Sequence, residues 1–198
     1  FTTRNGSIGA YNNPAIEGVA IFLMILGATS FFIHSKMIWK TRLKDYIRNP
    51  ETRLFWGLIA AFSVLVTLSY ISLSEPIRFG IFQTFSALTG TGFSNAEITS
   101  DLTKILIIIL MTIGGYAGST AGGIKLIRAS IIGKSLSWLG KKISLPQEAV
   151  VPFKVGGKAI KESELSIIAL FAWIYFIIMG ISSLGMTFLG YTPVDSFF

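Results

Sequence analysis

The chain has 198 residues, 52% hydrophobic and only 14% charged, with 17 Lys and Arg against 10 Asp and Glu and no cysteine. Soluble domains carry about 25% charged residues, and the apolar residues here gather into runs long enough to cross about 30 Å of hydrocarbon. The composition therefore excludes a soluble domain, and the missing cysteine excludes disulfides, thiolate catalysis and thiolate metal sites.

The chain opens on Phe1 rather than Met, with no charged-then-apolar signal segment before Asn13, and reads as an internal piece of a longer protein. Asn13-Pro14 is a helix start, Asn suiting the N-cap and Pro the first helical position. The apolar run from Ile16 to about Ile38 predicts a first span, followed by a basic loop. A second start at Asn49-Pro50-Glu51 opens a span over Leu54 to Leu73. Ser74-Glu75-Pro76 begins a shorter element, Ile77 to Leu88, too short to cross, and Thr89 to Phe93 is its loop. Ser100-Asp101 caps a helix over Leu102 to Ile113, whose rise of about 18 Å also falls short of a bilayer.

Five of the next ten residues, Gly114 to Gly123, are glycine. At about 1 kcal/mol each relative to alanine, they make a continuous helix a poor prediction. Backbone freed from helical pairing at membrane depth must be buried in protein or line a watery cavity, because lipid offers it no partner. A broken helix there points to a path for something polar. Ile124 to Leu139 continues as a basic amphipathic segment, a polar stretch with Pro146 and Pro152 leads to Ser163, and Leu165 to Leu189 is the last span. Tyr191 to Phe198 reads as the start of a further element.

Residues 36–53 hold six of the 17 basic side chains and residues 124–161 hold eight, leaving only Arg4, Arg78 and Lys104 elsewhere. The positive-inside rule puts both basic regions in the cytoplasm and residues 74–101 outside. The predicted fold is an all-α integral membrane protein built from potassium-channel-like units of helix, re-entrant pore helix, loop and broken second helix. An internal match supports the repeat: Leu23-Met24-Ile25-Leu26-Gly27 follows a polar run as Leu110-Met111-Thr112-Ile113-Gly114 does, and Glu75-Pro76 is echoed by Thr192-Pro193.

Thr89-Gly90-Thr91-Gly92-Phe93 has the composition of a filter loop, since glycines permit the conformations that aim carbonyl oxygens at a dehydrated cation. The C-terminal end of the short helix would add about half a negative charge. Gly114, Gly118 and Gly122 could instead form a helix-packing face of small residues four apart. A phosphate loop is excluded: Gly118 and Gly123 have the spacing, but Ile124 stands where lysine is required. Lys125 and Arg128 either snorkel to the interface or, for Lys125, face the pore. His34 reads as interfacial rather than a ligand, and Glu17, Glu75, Glu97 and Asp101 as a solvated outer rim around Arg78. No paired intramembrane carboxylate, His cluster or Ser-His-Asp set suggests an enzyme.

Phe85-Ser86-Ala87-Leu88-Thr89-Gly90-Thr91-Gly92-Phe93 resembles a pore loop of the Trk/Ktr/HKT superfamily of potassium transporters. The run Gly114 to Lys125 with Arg128 is similar to the glycine-rich signature of its bacterial and archaeal members, and Phe1-Thr2-Thr3-Arg4 resembles residues just past a preceding filter glycine. The resemblance implies potassium as the transported substrate, with no further cofactor, and carbonyls of Thr89, Gly90, Thr91 and Gly92 as one filter strand. It implies a gate at Gly114, Gly115, Gly118, Ser119, Thr120, Gly122, Gly123 and Lys125. It further implies that residues 1–48 end the second repeat, 49–145 form the third, and 146–198 begin the fourth. A multi-pass prokaryotic plasma-membrane protein follows, lipid-embedded, homodimeric, and seated on a cytosolic ring of nucleotide-binding regulatory subunits, with no nucleic-acid partner. The basic regions 36–53 and 124–161 are candidate docking surfaces for that ring. A non-conducting membrane anchor or assembly subunit, its glycines serving packing, is the alternative.

Overall fold

A computed structural model of the chain describes residues 5–40, 46, 49–98, 100–144, 152–155 and 158–198. Phe1 to Arg4, most of the basic loop before Asn49, and Pro146 lie outside the described residues. A 3-10 turn at Ser7–Tyr11 leads into α1 (Pro14–Ala28) and α2 (Phe31–Lys40), then α3 (Pro50–Ser69) and the short α4 (Pro76–Thr89). After α5 (Asp101–Ile113) and α6 (Leu126–Ile143) comes a two-residue antiparallel ladder, β1 (Lys154–Val155) with β2 (Lys158–Ala159). Then follow α7 (Glu162–Phe188) and α8 (Pro193–Phe197). The architecture is all-α apart from that ladder, which lies in the polar connection between α6 and α7.

The predicted starts are built as expected. Asn13 Oδ1 accepts from Ala15 N and Asn49 Oδ1 from Glu51 N, each at 2.9 Å, with proline at the first helical position. Ser100 precedes α5 in extended geometry but makes no side-chain cap bond. Among the described residues two helices, α3 and α7, are long and apolar enough to cross a membrane. On α7 only Ala172 and Ser183 are buried, while Ile167, Leu170, Trp173 and Ile178 stand exposed. That is the pattern of a helix whose surroundings are as apolar as itself.

One expectation fails. The apolar run from Ile16 to Ile38 is not a single helix: α1 stops at Ala28, Thr29 and Ser30 leave helical geometry, and α2 starts at Phe31. Locally, Thr29 turns its hydroxyl onto Ile25 O at 2.6 Å, a side chain competing with the helical ladder. The larger cause lies in the glycine-rich stretch, described below.

The core sits around α4. Every residue from Phe82 to Thr89 is buried, with Phe82 and Leu88 packed among Phe55, Leu110, Tyr116 and Leu126. Buried polar groups on α4 are partnered: Thr84 Oγ1 donates to Gly80 O, and Gln83 Nε2 to Ser94 Oγ and Ala96 O. The close approach of α4 to α3 depends on Gly80, where an added Cβ would lie 2.8 Å from both Thr67 N and Thr67 Cα. Gly57, on α3, has nothing within 4 Å of that position. Gly80→Ala should therefore destabilise the full-length protein in detergent by about 1–3 kcal/mol through overpacking. Gly57→Ala should be neutral or stabilise by up to about 1 kcal/mol. Thermal melting of the two variants, compared with the parent, checks the difference.

Candidate functional site

Helix α4 ends against a loop that is pinned from behind and open in front. Gly90 takes φ +66° and Gly92 φ +75°, conformations that glycine alone adopts without strain. Gly90 N donates to Ala87 O and Thr91 N to Ser86 O, at 3.1 and 3.0 Å. Ser86 Oγ donates to Phe93 O at 2.6 Å, and the Thr89 and Thr91 hydroxyls meet at 2.7 Å. No described backbone N–H reaches the carbonyls of Gly90, Thr91 or Gly92. All three residues are exposed, while Thr89 is buried. Thr89 and Thr91 line a cavity of about 410 Å³ together with Gly27 and Thr120.

The glycine-rich stretch is a break. Helix α5 stops at Gly114, with φ +72° and ψ −167°, and α6 does not begin until Leu126. The chain makes an excursion and returns to where it left. Ile124 N donates to Thr112 O, Lys125 N to Ile113 O and Leu126 N to Gly115 O, each at 2.9 Å. These bonds satisfy carbonyls that the end of α5 would leave orphaned.

The excursion docks on the other break. Thr120 N and Thr120 Oγ1 both donate to Gly27 O, at 3.2 and 3.0 Å, and Tyr116 N donates to Ala28 O at 3.1 Å. Phe31 N, at the start of α2, donates to Gly118 O at 3.2 Å. His34 Nε2 meets Leu26 O at 2.9 Å, so the last carbonyls of α1 are shared between His34 and the excursion. The two interrupted helices thus complete one another's hydrogen bonding, which explains why the apolar first run cannot stay helical.

Two charged side chains fasten the loop. Glu51, buried in the first turn of α3, accepts from Ala117 N at 3.1 Å. Lys125 Nζ donates to Ser119 O at 3.3 Å and also to Ala121 O. Tyr116 is fully buried with its ring 5.3 Å from that of Phe55. Lys125 is half-buried, and the loop's own carbonyls hold its ammonium. Arg128 stacks over Phe171 on α7 at 4.1 Å.

The packing face of Gly114, Gly118 and Gly122 is also corrected, since these residues are not on a helix. An added Cβ at Gly115 would lie 2.6 Å from Ala121 Cβ, and one at Gly123 2.8 Å from Met111 O. Gly122 is exposed with nothing within 4 Å, and its amide nitrogen lies 3.3 Å from where Gly90 would carry a Cβ. The filter-like loop and the glycine loop are direct neighbours.

Among the acids grouped around Arg78, the solvated rim holds for Glu97 and Asp101 but not for Glu17. Glu17 is 4% exposed and takes a bidentate pair from Arg78, Nε at 2.9 Å and a terminal nitrogen at 2.8 Å. Arg78 also reaches Glu75 and Asn12, and Asn95 Nδ2 donates to Glu17 at 3.2 Å. The hydrogen bonds that Arg78 donates to Glu17, then to Glu75, raise the guanidinium pKa further. Sequence reasoning missed the anchoring roles of Glu51 and Glu17: each sits in a first helical turn, where a carboxylate is expected anyway. Among the described residues no cluster of His, Cys, Asp or Glu could hold a metal ion.

A short helix buried among longer ones, an exposed glycine loop at its end, and an interrupted helix against that loop define an all-α membrane-protein unit. Comparison with known proteins is consistent with this class. The sequence model of the cation transport protein TrkH matches residues 1–198, and the chain belongs to that family. The Trk system potassium uptake protein TrkH of Escherichia coli K12 is 32% identical over 206 residues, covering 100% of this chain and 42% of that protein. A cation transporter of Methanocaldococcus jannaschii is 30% identical with the same coverage. The crystal structure of the potassium transporter TrkH from Vibrio parahaemolyticus superposes with a TM-score of 0.89 at 26% identity, over 100% of this chain and 44% of that one. The chain spans 42% of the length of the two sequence relatives.

Gly123→Ala combines an added Cβ at φ +80° with contacts of 2.8 Å, whereas Gly122→Ala adds it to open space. The first should lower the melting temperature of the full-length protein by several degrees, as expected for a loss of about 1–3 kcal/mol. The second should leave it unchanged. Differential scanning fluorimetry of both variants separates them.

Proposed function

We propose that this chain is the central part of a potassium-conducting membrane subunit. The carbonyls of Thr89, Gly90, Thr91 and Gly92 supply one strand of its filter, and the loop from Gly114 to Lys125 is its gate. The observation that carries this reading is the position of Gly122 against Gly90: the unwound backbone sits directly beneath the exposed glycine loop. The relatives that match over the whole chain are named as potassium uptake and cation transport proteins.

The chemistry follows from the carbonyl filter. A cation that sheds its water needs replacement oxygens held at fixed positions, and backbone oxygens supply them without a fixed countercharge that would trap it. The bonds from Ser86, Thr91 and Gln83 hold the loop from behind, so these oxygens need not reorganise as the ion passes. The negative end of α4 favours a cation at its tip. Below, the glycine loop occludes the path while Glu51 and Lys125 hold it, and opening requires those contacts and the bonds to Gly27 and Ala28 to yield. Residues 1–48, 49–145 and 146–198 then belong to the second, third and fourth of four repeats. The full protein works as a plasma-membrane homodimer on a cytosolic ring of nucleotide-binding subunits, with residues 36–53 and 124–161 facing that ring.

Full-length protein carrying Gly92→Val should fail to restore growth at low K⁺ in a bacterium lacking other uptake systems, because valine at φ +75° displaces the strand. Normal uptake by that variant would remove the filter assignment. Lys125→Met, which frees the carbonyls of Ser119 and Ala121, should raise basal Rb⁺ flux in liposomes. Absence of Rb⁺ flux from the parent protein itself would instead favour a non-conducting anchor.

A further inference from the structure

The outer ion pairs repeat in geometry and reverse in sign. Arg78 is the third residue of α4 and pairs with Glu17, the fourth residue of α1. Asp195 is the third residue of α8 and pairs with Lys104, the fourth residue of α5. In both cases a short helix opened by proline (Pro76 or Pro193) meets the first turn of the helix packed beside it. In both cases the cation is also approached by an acid three residues before it, Glu75 for Arg78 and Asp101 for Lys104. The N-cap side chain of each short helix bonds its third residue, Glu75 to Arg78 and Thr192 to Asp195.

Helix preference does not account for this. Arg78 and Lys104 both sit in first turns, where the positive end of the helix dipole disfavours a cation. Their side chains are nevertheless drawn in, 18% and 16% exposed, by carboxylates on the neighbouring element. Two junctions of one design carry opposite polarity.

We propose that these pairs are a charge key: each sets the seat of a short pore helix on the preceding inner helix, and their opposite signs forbid exchange of the two junctions. Exchanging partners would set Glu17 against Asp195 and Lys104 against Arg78, like charges in contact. Like charges in contact repel, so order is enforced by repulsion as well as attraction. Both seats bear on conduction, a consequence that rests on the filter reading above. Glu17 also holds Asn95, two residues past Phe93, and thereby ties both ends of the α4 loop unit to α1. These are positioning residues: they touch no ion and act through the angle of the pore helix.

The test uses full-length protein in a bacterium lacking other K⁺ uptake, with Rb⁺ and Na⁺ uptake normalised to the amount in the membrane. Lys104→Asp and Asp195→Lys alone should each lower the Rb⁺ to Na⁺ uptake ratio about tenfold or more, a reversal that places like charges in contact. The double variant K104D/D195K should return the ratio to within about threefold of the parent, the signature of a coupled pair. If a reversal does not reach the membrane, Lys104→Met, Asp195→Asn and their combination are read instead; the double should be no worse than the worse single. Unchanged ratios in the single variants, or strictly additive losses in the doubles, overturn the key. Those outcomes are distinct from failure of the filter reading, which would show as normal uptake by Gly92→Val.

Discussion

The structure depends on one constraint: backbone N–H and C=O groups released at membrane depth have no water to turn to. An orphaned pair of such groups costs about 1–3 kcal/mol each even in a protein interior. Here two helices are interrupted at the same level, α1 at Thr29 and Ser30 and α5 at Gly114. Neither interruption is self-sufficient. The carbonyls of Gly27 and Ala28 are taken by Thr120 and Tyr116, the carbonyl of Gly118 by Phe31, and the carbonyls of Thr112 and Ile113 by the returning chain at Ile124 and Lys125. The two breaks exist because each completes the other.

That exchange dictates the glycines. For the excursion to leave and re-enter at one point, Gly114 and Gly123 must lie backbone to backbone, closer than any Cβ allows. Gly115 lies against Ala28 O and Ala121 for the same reason. Gly122 is free of that demand and faces the open side, beneath Gly90. Tight packing and contact with the 89–93 loop thus fall to different glycines of one loop. The loop is fastened by Glu51, Lys125 and a handful of hydrogen bonds, each contributing about 1 kcal/mol in net terms.

Much of this was legible because the signals are local. Asn-Pro starts, the shortness of the run after Pro76, the glycine pair flanking Thr91 and the density of glycine after Ile113 each act within one or two turns, and α3, α4, α5 and α7 follow from them. What escaped reading was set by distant partners. Nothing between Ile16 and Ile38 announces a break as strongly as five glycines do; Thr29 and Ser30 suffice only because Thr120, 93 residues beyond Gly27, supplies the missing donors. Glu17 and Glu51 look like ordinary first-turn acids, and only folding shows that one grips Arg78 and the other Ala117. The alternation of sign between the two outer junctions is likewise invisible until α1 and α4, and α5 and α8, are seen side by side.

The docking of the glycine loop on the end of α1 admits a direct chemical test. A Cβ at Gly27 would lie 3.3 Å from Thr120 Oγ1, and the chain has no cysteine of its own. In full-length protein freed of any other cysteines, the pair Gly27→Cys and Thr120→Cys should form a disulfide under mild oxidation. Rb⁺ flux should then fall and return on reduction. Failure of the bond to form, or flux through the oxidised protein equal to that of the reduced one, would contradict a gate made from two mutually completed helix breaks.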